Sequence, residues 1–224
     1  MLLKQKTDRL FYNKWPYKVT CNVAGAHYIR TFGNVAIQHP DSIVFPKRWH
    51  HDHELNQNII LRRFIKEARE FLQDPNIKRR IENRFIEFYV LTKEEFDRLH
   101  LTLKEFVVKI TEPENKQDLD TLLENKKYIL CDRLPHNKYR YKITFKDMSV
   151  KIRNDLITWA EKYNNDDIYI TKSTRNHFKS IKHHYGSHYF YVKDSKMITL
   201  VAMAAGGYVR RTDEYVVRIP KEEA

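Results

Sequence analysis

The sequence predicts an α+β protein of mixed sheets covered by helices, an arrangement compatible with two ferredoxin-like or RRM-like subdomains. Three observations support this fold class. Apolar residues recur with a period of two in several short runs, which is typical of strands. In other runs they recur with a period near 3.6, which is typical of helices. Strand and helix runs alternate, with short connections, in both halves of the chain. Because no residue-level repeat is evident, an internal duplication stays a hypothesis.

The chain has 224 residues, of which 42% are hydrophobic and 13% aromatic, so it can bury a sizeable core. We expect an N-terminal α+β half over 1–112 and a C-terminal α+β half over 127–224. The polar and acidic stretch 113–126, which contains Pro113, is the best candidate for a linker between them. A single compact domain is the alternative.

The run from Tyr139 to Lys146 gives the clearest strand pattern. Aromatic and aliphatic residues occupy every second position. The positions between them hold Arg140, Lys142, Thr144 and Lys146. One face is therefore predicted to be buried, whereas the other is basic and can meet an anion. The run 128–131 is predicted to be the hairpin partner across a turn at 135–138, and Ser149 is predicted to cap the next helix.

The same criteria predict the remaining elements. In the N-terminal half these are a strand ending near Gly25, a short strand at 42–45, a helix over 52–74, a strand at 84–91, a helix capped by Thr92 and a strand at 107–111. In the C-terminal half they are a strand at 168–171, helical turns at 174–182, a strand at 188–193, a helix at 196–205 that Asp194 or Ser195 can cap, and a strand at 208–219. A buried strand at 197–203 is the alternative to that helix, but two alanines and the following glycine pair favour the helix.

The charge balance points to a polyanionic partner. Lysine and arginine number 41 against 29 aspartates and glutamates, which gives a formal charge of +12 and a pI near 9.5. Nucleic acid is the expected partner, although many basic proteins use such charge only for solubility. No P-loop, dinucleotide-binding glycine pattern or nucleophile elbow occurs in the sequence, so no cofactor is expected.

The cysteine content and the hydropathy indicate the cellular compartment of the protein. Cys21 and Cys131 lie far apart in apolar runs, which indicates neither a disulfide framework nor a zinc site. We therefore expect a reducing, cytoplasmic environment. No run approaches the roughly 18 apolar residues of a membrane span, so no membrane partner is expected.

Cations interleaved with aromatic rings suit the binding of single strands, because base faces stack on rings while ammonium groups approach phosphates. The run 11–19 has this composition, and basic residues on the later strands extend it. The predicted contact residues are Lys14, Trp15, Tyr17, Arg140, Lys142, Lys146, Lys182, His183 and Arg210. The alternative is that the aromatic residues of 11–19 close the core over its edge. The sequence does not distinguish DNA from RNA and is compatible with a homo-oligomer.

A metal-dependent nuclease or replication initiator is the second hypothesis. His51, His53 and Glu54 form the densest group of potential ligands for Mg²⁺ or Mn²⁺. The motif at 51–53 resembles that of the HUH replication initiators, which use two histidines flanking a hydrophobic residue, plus a tyrosine nucleophile. It departs from their pattern because Asp52 stands between the histidines and a helix begins there. The resemblance implies Tyr185, Tyr189 and Tyr191 as nucleophile candidates.

The segments 11–19, 134–142 and 189–202 resemble small uncharacterised proteins of phages and other viruses. The resemblance is scattered and contains no diagnostic catalytic motif. It implies a viral origin, a role in genome replication or handling, and residence in the host cytoplasm. A structural virion or scaffold protein, whose charge neutralises packaged nucleic acid, is the third hypothesis.

Overall fold

The chain forms two units, 1–123 and 124–224, each with one five-stranded mixed sheet. The computed structural model describes residues 2–42, 52–163, 166–180 and 188–218, and for residues 42 and 52–57 it describes the backbone alone. Helices pack against one face of each sheet, which leaves a second face that we call the open face. The predicted α+β class is confirmed.

Unit 1 contains nine helices and strands in its described part. In chain order they are β1 (Leu3–Lys6), β2 (Tyr17–Asn22), α1 (His27–Gln38), α2 (Asp52–Gln73), β3 (Lys78–Glu82), β4 (Phe85–Val90), α3 (Lys93–Thr102), β5 (Val107–Glu112) and α4 (Lys116–Glu124), whose last residue crosses the unit boundary. The strand order across the sheet is β1-β5-β2-β4-β3.

Unit 2 has a closely similar series of elements. In chain order they are β6 (Tyr128–Cys131), β7 (Tyr141–Phe145), α5 (Val150–Ala160), β8 (Ile168–Ile170), α6 (Lys172–Lys179), β9 (Tyr189–Val192), α7 (Ser195–Ala205) and β10 (Val209–Val217). The strand order is β6-β10-β7-β9-β8.

The two sheets share one topology. The last four strands of each unit stand in the order fourth, first, third, second, and every pair among them is antiparallel. This is the strand order of the β-α-β-β-α-β arrangement of ferredoxin-like domains, to which unit 2 adds helix α6 between β8 and β9. In each unit the leading strand, β1 or β6, adds to the outside of the fourth strand in parallel. The expectation of two ferredoxin-like subdomains agrees with this topology.

The equivalence extends to single residues. The sequence Tyr-Lys-Val-Thr of 17–20 occupies β2 where Tyr-Lys-Ile-Thr of 141–144 occupies β7, and each is preceded by Asn-Lys at 13–14 or 137–138. Both last strands also carry a bulge at the matching place, since Val108 of β5 and Arg210 of β10 are each the extra residue in the pairing. A residue-level repeat therefore exists, although it is too short to stand out in the sequence.

Alternation along the central strands builds each core. In unit 1, Val19 and Cys21 of β2 and Phe88 of β4 lie under the helices with no exposed surface. In unit 2, Ile143 and Phe190 hold the corresponding positions in β7 and β9. The helices contribute apolar residues at spacings of three and four, such as Leu61, Phe64, Ile65 and Ala68 of α2.

Several helix boundaries follow the predicted capping residues. The side chains of Thr92, Ser149 and Asp194 accept hydrogen bonds from the third residue after them, at the starts of α3, α5 and α7. Gly206 ends α7 with a left-handed backbone (φ 55°), so the helix predicted at 196–205 is confirmed.

One prediction about connectivity is wrong. The strand at 128–131 does not form a hairpin with β7, because β10 lies between them and pairs with β6 in parallel. The boundary between the two units falls within the stretch 113–126 that was predicted as a linker. This stretch contains helix α4, whose first turn is capped by Asn115 through the amide of Asp118 and which buries Leu122. Strand β1, helix α1 and strand β3 were not predicted. The short strand predicted at 42–45 falls outside the described residues, apart from Ser42.

Candidate nucleic-acid interface

A cluster of aromatic rings with lysines around them lies on the open face of unit 1. We call it platform 1 and define it as Tyr12, Lys14, Trp15, Lys78 and Tyr89. The ring of Tyr12 meets the rings of Tyr89 and Trp15 edge-on, with centroids 5.0 and 6.1 Å apart. Lys78 Nζ lies 4.5 Å from the Tyr12 centroid, and Lys14 Nζ lies 4.9 Å from that of Trp15.

A tight turn holds Tyr12 above the sheet. Tyr12 and Asn13 both have positive φ (51° and 58°), and the amides of Lys14 and Trp15 both donate to the Phe11 carbonyl at 3.1 and 3.0 Å. This turn leaves the Tyr12 side chain 50% exposed, whereas the Tyr89 ring beneath it is 3% exposed. Platform 1 thus offers an accessible ring on a buried aromatic base.

An ionic network underlies platform 1. Lys18 Nζ lies 3.0 Å from Glu87 Oε1, and the Tyr89 hydroxyl donates to Glu87 Oε2. Burial alone would raise the pKa of Glu87, but the hydrogen bonds from Tyr89 and Lys18 and the Lys18 charge hold it below its usual value. Burial, and then the hydrogen bond to Glu87, raise the pKa of Tyr89. Glu87 therefore stays ionised and Tyr89 stays protonated at neutral pH.

Unit 2 carries an equivalent cluster, platform 2, defined as His136, Tyr139, Tyr169 and Tyr191. The exposed His136 ring lies 4.0 Å from the Tyr169 ring and 5.8 Å from that of Tyr191. The three tyrosine rings are 5.7–6.3 Å apart with interplanar angles of 26–29°. Burial, and then the neighbouring Tyr215, raise the pKa of Tyr191.

The turn beneath His136 repeats the one in unit 1. His136 and Asn137 have φ of 53° and 59°, and the amides of Lys138 and Tyr139 donate to the Pro135 carbonyl at 3.2 and 3.1 Å. Position by position, His136 corresponds to Tyr12 and Tyr139 to Trp15. Strand pairing makes two further correspondences, Tyr191 with Tyr89 and Tyr169 with Lys78.

The open face of unit 2 continues beyond platform 2 along strand β9. Tyr189 and Tyr191 alternate with the buried Phe190, so both project from the face opposite the helices. Lys142 of the neighbouring strand β7 places Nζ 4.0 Å from the Tyr189 ring centroid. An ammonium group beside a ring on adjacent central strands can hold a phosphate while a base stacks on the ring.

The structure places some of the predicted contact residues on the open faces and one of them in the core. Lys14 and Trp15 belong to platform 1, and Lys142 lies beside Tyr189 as described. Tyr17 does not fit the prediction, because its ring is 6% exposed and packs on Phe96 within the core. For this residue the alternative of core closure is the better account.

Three more of the predicted residues lie on the surface of unit 2, and their partners differ. Arg140 Nε forms an ion pair with Glu214 at 2.8 Å, and Lys146 Nζ donates to the Gly207 carbonyl at 3.2 Å. Arg210 is the exposed bulge residue of β10. Lys182 and His183 lie outside the described residues.

The side chains of the hypothetical metal site lie outside the described part of the structure. His51 lies outside it, and His53 and Glu54 are described only as backbone within α2. Among the residues whose side chains are described, no group of three or more histidine, cysteine or acidic side chains could hold a metal ion. Both cysteines are free thiols, and burial raises the pKa of Cys21 to about 12.

Of the platform members, sequence reasoning gave only Lys14 and Trp15 as contact residues. It missed the other seven, namely Tyr12, Lys78, Tyr89, His136, Tyr139, Tyr169 and Tyr191. Tyr12 and His136 each precede an Asn-Lys pair, and this short repeat was the available signal for both. Lys78 and Tyr169 lie on short edge strands that contact the turns from distant parts of the sequence, and no local pattern reveals such contacts.

No protein-family model, curated protein or solved structure matches the chain. Among the described residues, no helix combines the length and the apolarity needed to cross a membrane.

Proposed function

We propose that the protein binds single-stranded nucleic acid through the open faces of its two sheets. The observation that carries the proposal is that, in both units, the same positive-φ turn holds a ring against a buried tyrosine, Tyr12 against Tyr89 and His136 against Tyr139. Rings on a sheet surface stack on bases, and only unpaired bases present their faces. The +12 charge supplies attraction for the phosphates.

The two platforms contribute different chemistry to this binding. Platform 1 places the ammonium groups of Lys14 and Lys78 over its rings, so it combines stacking with phosphate contacts. Platform 2 is mainly aromatic. Lys138 Nζ lies 5.7 Å from the Tyr139 centroid but is paired with Asp166, and Lys142 beside Tyr189 is a second cation next to these rings. On the resemblance to viral proteins, we propose genome replication or handling as the setting of this binding.

The test replaces the exposed rings and measures binding by fluorescence anisotropy. In the double variant Tyr12→Ala/Trp15→Ala, we expect affinity for labelled oligothymidylate to fall tenfold or more, because a stacked base contributes about 1–3 kcal/mol. Affinity for an abasic single strand of the same length should change little, since that strand has no bases to stack. Tyr189→Ala should act in the same way in unit 2.

Matched controls separate stacking from loss of fold. Leu101→Ala removes an exposed apolar side chain from α3, and Tyr163→Ala removes a ring next to Trp159, packed on the helix-covered core of unit 2. Both should bind oligothymidylate as the parent protein does. The proposal is overturned if the platform variants also match the parent, or if the parent protein binds duplex DNA as tightly as it binds the single strand.

A further inference from the structure

The helix-covered side of unit 1 carries a basic groove away from platform 1. Three depressions of about 320, 540 and 540 Å³ lie along α1, α2 and β3. Arg79 lines the first and the second, and Gln38 lines the second and the third, so neighbouring depressions share a lining residue. We call this series of three depressions the groove. Arg30 lies at one end, and Lys66 and Arg69 lie at the other.

Charge in the groove is mostly positive and partly uncompensated. Four cationic side chains line it against the carboxylates of Asp41 and Asp74. Lys66 pairs with Asp41 at 3.0 Å, and Asp74 accepts the Asn76 amide at 2.8 Å. Within the described part of the chain, no carboxylate lies within ion-pair distance of Arg30 or Arg79. A cleft lined by charges of one sign concentrates counter-ions.

A break in helix α1 shapes one end of the groove. Gly33 has φ 56° and ψ −134°, a conformation that side-chain-bearing residues avoid, so the helical path is interrupted there. A Cβ atom at this position would meet nothing within 4 Å, which shows that the backbone borders open space. Backbone and Arg30 therefore line the same depression.

Strand β3 connects the groove to platform 1. Lys78 pairs with Tyr89 and so belongs to the open face, whereas Arg79 pairs with the core residue Phe88 and so belongs to the helix-covered side. Among the described strands of its sheet, β3 lies at the edge, so none of them covers the side around which these two cations lie. Cationic side chains thus continue from one side of the sheet to the other around this edge.

We propose that the phosphodiester backbone of a bound single strand passes from platform 1 around the β3 edge into the groove, where Arg79 and Arg30 bind its phosphates. This proposal rests on the proposed function. We expect the groove to take backbone and not bases, because the described side chains that line its three depressions include no Phe, Tyr or Trp on which a base could stack. Guanidinium groups bind phosphate oxygens through two parallel hydrogen bonds.

The test is the double variant Arg30→Gln/Arg79→Gln, titrated with oligothymidylate and with an abasic strand across a salt series. For two lost phosphate contacts on a single strand, the slope of log K against log salt should become less steep by about 1.4. Affinity should fall equally for both strands, because the groove does not contact bases. The control Lys104→Gln/Lys116→Gln removes the same charge from exposed positions of unit 1 and should leave the slope near that of the parent.

The outcomes separate this proposal from the proposed function. One outcome is that the groove variant shows the same salt slope as the control variant while Tyr12→Ala/Trp15→Ala weakens binding of oligothymidylate. In that case the proposed path around the β3 edge is wrong, and binding through the platforms is supported. If the groove variant loses slope but the platform variant binds normally, the groove binds phosphate without the platforms, and the proposed function fails. A parent protein that binds neither strand at low salt overturns both.

Discussion

The two units repeat one topology, yet their open faces differ in chemistry. In unit 1, Lys18 on the first central strand pairs with Glu87 on the second. In unit 2, the corresponding positions are Lys142 and Tyr189, and the ion pair is replaced by an ammonium group over a ring. Platform 1 has Lys78 where platform 2 has Tyr169. At these matched positions, unit 1 therefore relies on an ion pair and unit 2 on aromatic rings.

This difference shows which positions the fold constrains. At several helix-covered positions both units keep apolar residues of similar size, such as Val19 with Ile143, and Phe88 with Phe190, although Cys21 corresponds to the larger Phe145. Buried positions must fill their space closely, whereas a partly solvated face accepts either a charge or a ring. The turns at 12–13 and 136–137 are equally alike, because both units require the same backbone course onto the first strand.

The largest effects should come from the shared core. Phe88→Ala and Phe190→Ala each delete a ring with no exposed surface from a central strand. We expect each to lower the free energy of unfolding by about 3–5 kcal/mol, since the lost burial and the resulting cavity add together. Hydrogen exchange followed by mass spectrometry should show the loss of protection within the substituted unit.

The two cores would not be equivalent if the two variants lost different amounts of stability. A loss in only one of the units would mean that the equivalent strand positions have different packing roles. Leu101→Ala, at a side chain that is 72% exposed, should cost less than about 0.5 kcal/mol and serves as the control.

The Lys18–Glu87 pair predicts a pH effect that the matched positions of unit 2, Lys142 and Tyr189, should not show. Glu87→Gln should cost about 1–2 kcal/mol at pH 7, because it weakens hydrogen bonds that a charged group accepts from Tyr89 and Lys18. The folded state lowers the pKa of Glu87, so its contribution to stability is present above the unfolded pKa near 4.3 and is lost as the pH falls through the folded value. Urea denaturation from pH 7 to pH 3 should show the variant and the parent converging.

Tyr189→Phe is the matched experiment in unit 2. This position corresponds to Glu87 but holds no carboxylate, so the difference from the parent should stay constant over the same pH range. A constant difference for Glu87→Gln would contradict the ionic network, and convergence for Tyr189→Phe would contradict the contrast between the faces.

The sequence allowed prediction of the elements whose signals are local. Strand β7 follows from alternation around Ile143, and helices α3, α5 and α7 follow from Thr92, Ser149 and Asp194, whose side chains cap their own first turns. Lys14 and Trp15 could also be predicted as nucleic-acid contact residues, because cations and aromatic rings are neighbours in the sequence there.

Pairings between distant strands could not be predicted in this way. Residues 128–131 resemble a hairpin partner for β7, but β10, about 85 residues later, inserts between them. The Tyr12–Lys78 contact likewise joins residues that lie far apart in sequence. The acidic composition of 113–126 suggested a linker, because the apolar positions that α4 buries are few, with Leu122 foremost.

The smallest effect that we predict concerns the repeated turn. Asn13 and Asn137 both have left-handed backbones, which asparagine tolerates better than alanine does. Asn137→Ala should therefore cost about 1 kcal/mol, measured by chemical denaturation, whereas Asn137→Gly should be nearly neutral because glycine adopts positive φ freely. Asn13→Ala should cost less, since it also removes a buried amide oxygen that has no hydrogen-bond partner in the described structure. If the alanine and glycine variants had the same stability at both positions, the left-handed backbone of the two turns would not explain how Tyr12 and His136 are held above their sheets.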